Sequence, residues 1–248
     1  MAINPVIDLQ LGHHSSRSYT DTPVSDAQLD AIVRAAHQAP TSIHTQQVSL
    51  VVVRDAATRA RLAELAGGQP WIAKAPVFIA VVIDLHKTAV GVEIGGATQS
   101  TQETLEGWTS ATLDAGIALG NLIVAARSFG LGIVPIGGIR RDPQAVRDLL
   151  GLPPLAFAVN GLVIGHATDE AIVKPRLPIA TFRHDERYDD HGLRVAITEF
   201  DATLLDYWRR IGRADGKAWS ANTAGIYSKH YYPNVRPAAL AAGFGFDA

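Results

Sequence analysis

The apolar positions of this chain fall into two rhythms, one helical and one extended. After Ser25-Asp26-Ala27-Gln28, where serine and glutamine stand at capping-box spacing, Leu29, Ile32, Val33 and Ala36 recur at helical period. An amphipathic helix is therefore predicted over residues 25–39, ended by Pro40. The β-branched run 48–53 predicts a buried strand, residues 55–66 a helix with Gly67-Gly68 at its C-terminal turn, and 77–83 a second apolar strand. Residues 84–102, broken by Gly91, Gly95 and Gly96, show little periodicity and predict a mobile surface segment. The longest regular element, 108–129, is apolar round most of its circumference, which predicts burial rather than amphipathicity. Gly116 and Gly120 within it stand four apart, a spacing that admits a close helix contact, inside the subunit or across a dimer.

Beyond Gly130 and Gly132, residues 133–136 form an apolar run that enters Gly137-Gly138, residues 143–150 read as a short helix, and 157–164 as the last strong strand. Lys174-Pro175-Arg176-Leu177-Pro178 is too rich in proline for a helix or a central strand. A helical pattern returns over 196–210, a basic loop follows, and the chain from Trp219 is aromatic and apolar without a clear period. No repeat or low-complexity linker interrupts the sequence, so residues 1–248 read as one domain. Alternation of strands and helices by itself suggests a parallel α/β sheet.

Composition narrows the chemistry. The net charge of −2 gives no electrostatic footprint for nucleic acid or an anionic membrane. The chain has no cysteine, which excludes disulfides, thiolate metal sites and cysteine nucleophiles. No secretory-signal pattern and no run of ~18 uninterrupted apolar residues is present, and a cytoplasmic location is expected. The phosphate-binding, dinucleotide, nucleophile-elbow and His-Glu-x-x-His motifs are all missing, so no metal is expected. What stands out is Gly12-His13-His14-Ser15-Ser16-Arg17-Ser18-Tyr19, whose imidazoles, guanidinium and hydroxyls make an anion-binding composition. The polar stretch 41–47 is a second candidate, able to read the edge of a ligand ring by hydrogen bonds.

Four motifs carry a resemblance: Gly12-His13-x-Ser15-x-Arg17-x-Tyr19-Thr20-Asp21-x-Pro23, Gly67-Gly68-Gln69, the segment from Gly130 through Ile136-Gly137-Gly138 to Arg140, and Lys174-Pro-Arg176-Leu-Pro178. In this order and spacing the chain resembles the flavin-dependent nitroreductase superfamily, closest to its oxygen-insensitive NADPH nitroreductase and NADPH-flavin oxidoreductase group. The resemblance implies an α+β fold of three layers, a mixed, mainly antiparallel sheet flanked by helices, in an intertwined homodimer with the long helix at the interface. The tail, residues 190–248, has few strands of its own and is expected to be an extension packing on the partner subunit.

FMN is the cofactor so implied, with NADPH or NADH as electron donor. His13, Lys174 and Arg176 would meet the FMN phosphate, assisted by Ser15, and Arg17 would reach the N1/O2 edge of the ring. Ile136, Gly137 and Gly138, preceded by Pro135, match the backbone along the flavin near N5. Gln69, with Thr41, Ser42 and Gln46 from the opposite subunit, match positions along the ribityl chain and pyrimidine edge. His14 also belongs to this set, although the close group has arginine there, a serine-rich run at 40–44, and tyrosine at Pro135. Arg210, Arg213 and Lys217 in the basic loop are the expected NADPH contacts. The implied activity is ping-pong hydride transfer to nitroaromatics, quinones or free flavin, with no side-chain acid or base. The alternatives are a protein that stores or senses FMN on this scaffold and a flavin enzyme dedicated to one substrate.

Overall fold

A computed structural model describes residues 4–170 and 172–246. In chain order the elements are α1 (Pro5–Leu11), α2 (Asp26–His37), β1 (Val48–Val53), α3 (Ala56–Leu65), α4 (Pro70–Lys74), β2 (Val77–Asp84), α5 (Leu85–Ile94) and α6 (Leu105–Ser128). They continue with β3 (Gly132–Ile136), α7 (Pro143–Leu150), β4 (Ala156–Gly165), α8 (Leu193–Arg210), α9 (Trp219–Tyr227) and α10 (Val235–Ala241). The chain divides into two compact units, one of residues 1–171 and 232–248 and one of residues 172–231.

In the first unit the strands form one sheet in the order β1-β2-β4-β3, and every pairing among them is antiparallel. The parallel sheet suggested by alternation is therefore not what forms: helical connections between strands do not fix strand direction. Side-chain alternation divides the sheet's surroundings into two cores. Val77, Ile79, Val81 and Ile83 of β2 join the core containing α2, α6 and α10, while Phe78, Ala80 and Val82 join the one containing α3, α4 and α7. The α+β, three-layer architecture follows from this division.

The pairing of β2 with β4 slips between Val81 and Val82, which face Asn160 and Ala158, so Val159 is a surplus residue. The slip explains why Phe157 and Val159 share a core with Leu162 and Ile164 despite the change of parity.

The α2 capping box forms with both reciprocal bonds between Ser25 and Gln28. Gly67 and Gly68 end α3 at φ 91° and 74°, values open to glycine. Elsewhere the structure differs from the pattern. β1 is an edge strand and mostly half-buried rather than buried. Residues 84–102 contain the α5 helix, capped by Asp84, whose carboxylate accepts from the Lys87 amide; three glycines had masked it. Beyond Trp219 the apolar residues build α9 and α10. Ala238, Ala239, Ala242 and Phe244 enter the main core, where Trp108 meets Phe157, Phe244 and Phe246 edge-on at 5.1–5.3 Å between ring centroids.

The α6 helix is the largest departure. By length and composition it would qualify as a membrane span, yet it packs in the core through Ala111, Ala115, Leu122 and Ala126. Its other face is open: Leu113 is 63% exposed, and side chains added at Gly116 or Gly120 would meet nothing within 4 Å. An apolar circumference thus corresponds to one buried face and one uncovered face.

In the second unit, Phe200, Leu204 and Tyr207 of α8 form a small core with Leu177, Trp208, Ile211 and Trp219 around it. Leu122 is fully buried beneath the sheet, and Leu122→Ala is expected to cost about 2–5 kcal/mol through lost burial and the cavity left behind. Urea unfolding of the two proteins measures this directly.

Candidate functional site

The anion-type segment begins where α1 ends. Arg127 of α6 donates to the carbonyls of Leu9 and, at 2.9 Å, Gly12, so the last turn of α1 is capped by a guanidinium from the core helix. Burial pushes that guanidinium below its ordinary value. His13 lines a shallow depression with Gly120, Asn121 and Arg127. His14 Nδ1 donates to the Gly12 carbonyl at 3.1 Å, which leaves Nε2 as the nitrogen a ligand could use.

From there the segment lies along the start of β3. The Ser16 amide donates to the Ile133 carbonyl at 2.9 Å, and a Cβ on Gly132 would collide with Ser16 and Ala167. Tyr19 bridges to Ala167, Thr168 bonds the Ser18 carbonyl through its amide at 3.0 Å, and Asp169 Oδ2 accepts from the Arg17 amide at 2.7 Å. The backbone of Arg17 is fixed in this way, while its guanidinium lies over the Trp71 ring at 5.4 Å and donates to the Ser15 carbonyl at 3.4 Å. No carboxylate pairs with it among the described residues.

At the other end of β3, Pro135 and Ile136 lead into the Gly137–Arg140 turn. Gly138 is buried, and a Cβ there would overlap the Gln69 amide and the Ala66 carbonyl; Gln69 Nε2 itself donates to that carbonyl at 2.8 Å. Gln69 and Trp71 flank the N-terminus of α4. The sequence-predicted Ser15, Arg17, Gln69, Ile136, Gly137 and Gly138 are thereby gathered around β3 and α4.

Thr41, Ser42 and Gln46 are not part of this group. Their loop precedes β1, at the opposite edge of the four-stranded sheet, three strand spacings or roughly 14 Å away. Both carboxylate oxygens of the buried Asp114 accept from the Ser42 amide at 3.1 and 3.2 Å, and Oδ2 also accepts from Gln47 at 2.9 Å. Ile43, His44 and Gln46 take positive φ values of 42°, 62° and 53°, which shape the loop. Thr41 and Gln46 line a cleft of about 290 Å³ with Ala36, His37, Leu50 and Lys87.

Within the second unit, Lys174 lies over the Trp208 ring at 5.5 Å, and Arg176 Nη1 donates to the Lys174 carbonyl at 3.2 Å. Arg213 lies over the same ring at 4.9 Å while binding Asp215, Arg210 pairs with Asp206 at 3.0 Å, and the Lys217 carbonyl accepts from Trp208 Nε1 at 3.0 Å.

Sequence reasoning missed Asp114, Trp71 and Asp169. Asp114 had a signal, being the one acid in the apolar run 108–129; Asp169 acts across 152 residues and had none.

The Nitroreductase family model matches residues 11–166, more than half of the chain, and the model of that family's C-terminal domain matches residues 174–247. The chain belongs to the nitroreductase family. It is 40% identical over 247 residues to an FMN reductase [NAD(P)H] of Bacillus subtilis, covering 98% of each chain. Its fold matches the solved structure of B. megaterium NfrA2 with a TM-score of 0.96 at 42% identity, over 99% of this chain and 100% of that one. It also matches the NADPH:FMN oxidoreductase of Vibrio harveyi, solved in complex with NAD+, with a TM-score of 0.87 at 32% identity, over 97% and 98% of the two chains.

In this nitroreductase-family chain the Tyr19 hydroxyl donates to the Ser16 carbonyl at 2.6 Å. Burial first, and then the charge of Asp169, push its phenol above the ordinary value of 10.0, with Arg17 pulling the other way. The folded chain therefore holds this proton more tightly than the unfolded chain, and stability falls as pH rises past 10. Tyr19→Phe is expected to flatten that fall, read as the change in Tm between about pH 9 and 11 for the two proteins.

Proposed function

We propose that this chain is an FMN-dependent NAD(P)H oxidoreductase reducing small acceptors such as nitroaromatics, quinones or free flavin. The observation that carries the reading is a concentration of unmet polar atoms. Of the five buried side-chain polar atoms without a partner among the described residues, Ser16 Oγ, Trp71 Nε1 and Asp169 Oδ1 all lie around Arg17. A guanidinium with no ion-pair partner among the described residues, beside an indole N–H, a hydroxyl and a carboxylate oxygen left unmet, fits a polar ligand that offers both donors and acceptors.

The residues present fit FMN. Within the first unit His13 and Ser15 offer donors of the kind a phosphate requires and Arg17 a positive charge for the pyrimidine edge; the resemblance would add Lys174 and Arg176 to the phosphate contacts. The glycines at 137 and 138 let the backbone approach a flat ring without a side chain between them. Gln69 lies beside Gly138, and His14, whose Nδ1 donates to the Gly12 carbonyl, offers Nε2 as an acceptor. Bound FMN would supply the hydride chemistry, taking a hydride from a reduced nicotinamide and passing it to the acceptor. The protein's own residues orient the ring and hold charge near it, so no side-chain acid or base is needed.

Thr41, Ser42 and Gln46 stand at the far edge of the sheet from Arg17, so they would serve the same cofactor only from a second copy. The uncovered apolar face of α6, with Leu113, Gly116, Ile117 and Gly120, supports a homodimer built there. Part of the extension from 190 onward would pack on the partner, whereas Ala238, Ala239, Ala242 and Phe244 lie in the core of their own chain. For NADPH, Arg210 and Arg213 already face carboxylates, and Lys217 is the cation of the three with no acidic partner among the described residues.

The purified protein is expected to show a bound-flavin spectrum that bleaches on anaerobic addition of NADPH. A flavin spectrum that persists would favour a storage or sensing protein, and a colourless protein that FMN cannot reconstitute would overturn the reading. Arg17→Ala is expected to raise the FMN Kd by at least about tenfold, or ~1.4 kcal/mol, in a fluorescence titration. Light scattering is expected to give twice the chain mass, and a monomer that retained FMN would contradict a site shared between copies.

A further inference from the structure

Two segments of the first unit that flank residues 172–231 in the sequence bond the segments of the candidate site. On the outgoing side, residues 167–169 pair with the anion-type segment: Ala167 with Tyr19, Thr168 with Ser18, and Asp169 with the Arg17 amide. On the returning side, Tyr232 lies over the Arg140 guanidinium at 5.4 Å, and Asn234 Nδ2 donates to the Arg141 carbonyl at 3.1 Å. These two arginines close the turn that starts at Gly137.

Arg140 works inward from that position. Its Nη1 donates to the Val159 carbonyl, and its Nη2 lies 3.1 Å from where a Cβ on Gly137 would stand. The Arg141 side chain packs against Gly67 on the loop that carries Gln69. A planar guanidinium over an aromatic face is held in orientation as well as in place. Tyr232 takes φ 54°, a left-handed conformation that is unfavourable for a bulky residue and persists only where the surroundings enforce it. Asp169 has a matching peculiarity, since one of its oxygens holds the Arg17 amide while the other is buried without a partner.

We infer that Tyr232 and Asp169 are positioning residues: Tyr232 sets the Gly137–Arg140 turn through Arg140, and Asp169 sets Arg17 through its backbone. The inference rests on the reading that FMN binds against these two segments. It goes further by making the points where residues 172–231 depart and return part of the binding machinery.

The test uses the full-length protein and four variants. Tyr232→Leu removes the aromatic face and Tyr232→Phe keeps it; Asp169→Ala removes the acceptor and Asp169→Asn keeps one. FMN Kd, the visible spectrum of the bound flavin, Tm, and amide hydrogen exchange at 15–19 and 136–141 are measured for each. Tyr232→Leu and Asp169→Ala are expected to raise the FMN Kd at least about tenfold, to shift the flavin spectrum, and to speed exchange, Tyr232→Leu in 136–141 and Asp169→Ala in 15–19. Tyr232→Phe and Asp169→Asn are expected to stay within about twofold of wild type. Wild-type Kd, spectrum and exchange in the Leu and Ala variants would overturn the inference. So would equal losses in the Phe and Asn variants, which would point to bulk rather than to the contacts named. Failure of the unmodified protein to bind FMN would instead overturn the functional reading on which the inference rests.

Discussion

β2 and β4 are apolar on both faces, and that constraint organises the molecule. A strand with Ile79 toward one side and Phe78 toward the other must be covered twice, so the chain supplies α2, α6 and α10 for one face and α3, α4 and α7 for the other. Covering both faces of the middle strands pushes β1 and β3 to the edges. The edges are where backbone and side chains stay accessible. Both groups of candidate residues lie there, the Arg17–Gln69–Gly138 group beside β3 and the Thr41–Gln46 loop before β1. The polar chemistry is thus kept off the dry interior without any separate scaffold for it.

Which parts of this were legible in the sequence follows from the range of the forces involved. The α2 capping box is a contact between residues three apart, and it could be read directly. The break between α3 and α4 rests on the conformational freedom of Gly67 and Gly68, again a local property. The direction of the strands is decided by pairing between residues 25 to 87 positions apart, and local alternation pointed to the wrong answer. The α6 helix shows a different limit. An apolar residue records that water is unfavourable to it, not which surface covers it, so Leu122 in the core and Leu113 in the open look alike in the sequence.

The site was legible in its composition but not in its assembly. The crowding of His13, Ser15 and Arg17 marked an anion-binding segment, and the glycines at 137 and 138 marked a close approach of backbone. That the two lie at opposite ends of one strand, joined through Gln69 and Trp71, depends on tertiary contacts. Asp114 shows the same divide. Its carboxylate fixes the 41–47 loop by bonding Ser42 and Gln47, two groups more than sixty residues away in sequence. A buried acid satisfied this way is a structural clasp, and without the fold it reads only as an interruption.

The surplus residue in β4 has one more implication. Val159 stands outside the pairing with β2, and its carbonyl accepts from the Arg140 guanidinium. Shortening the strand by one residue at that point would straighten the ladder and leave Phe157, Leu162 and Ile164 on the face they now occupy. The sheet would keep its core, but the turn after β3 would lose its anchor. In this strand the regular part specifies the fold and the defect supplies the attachment point for the site, so the two could be gained or lost separately in evolution.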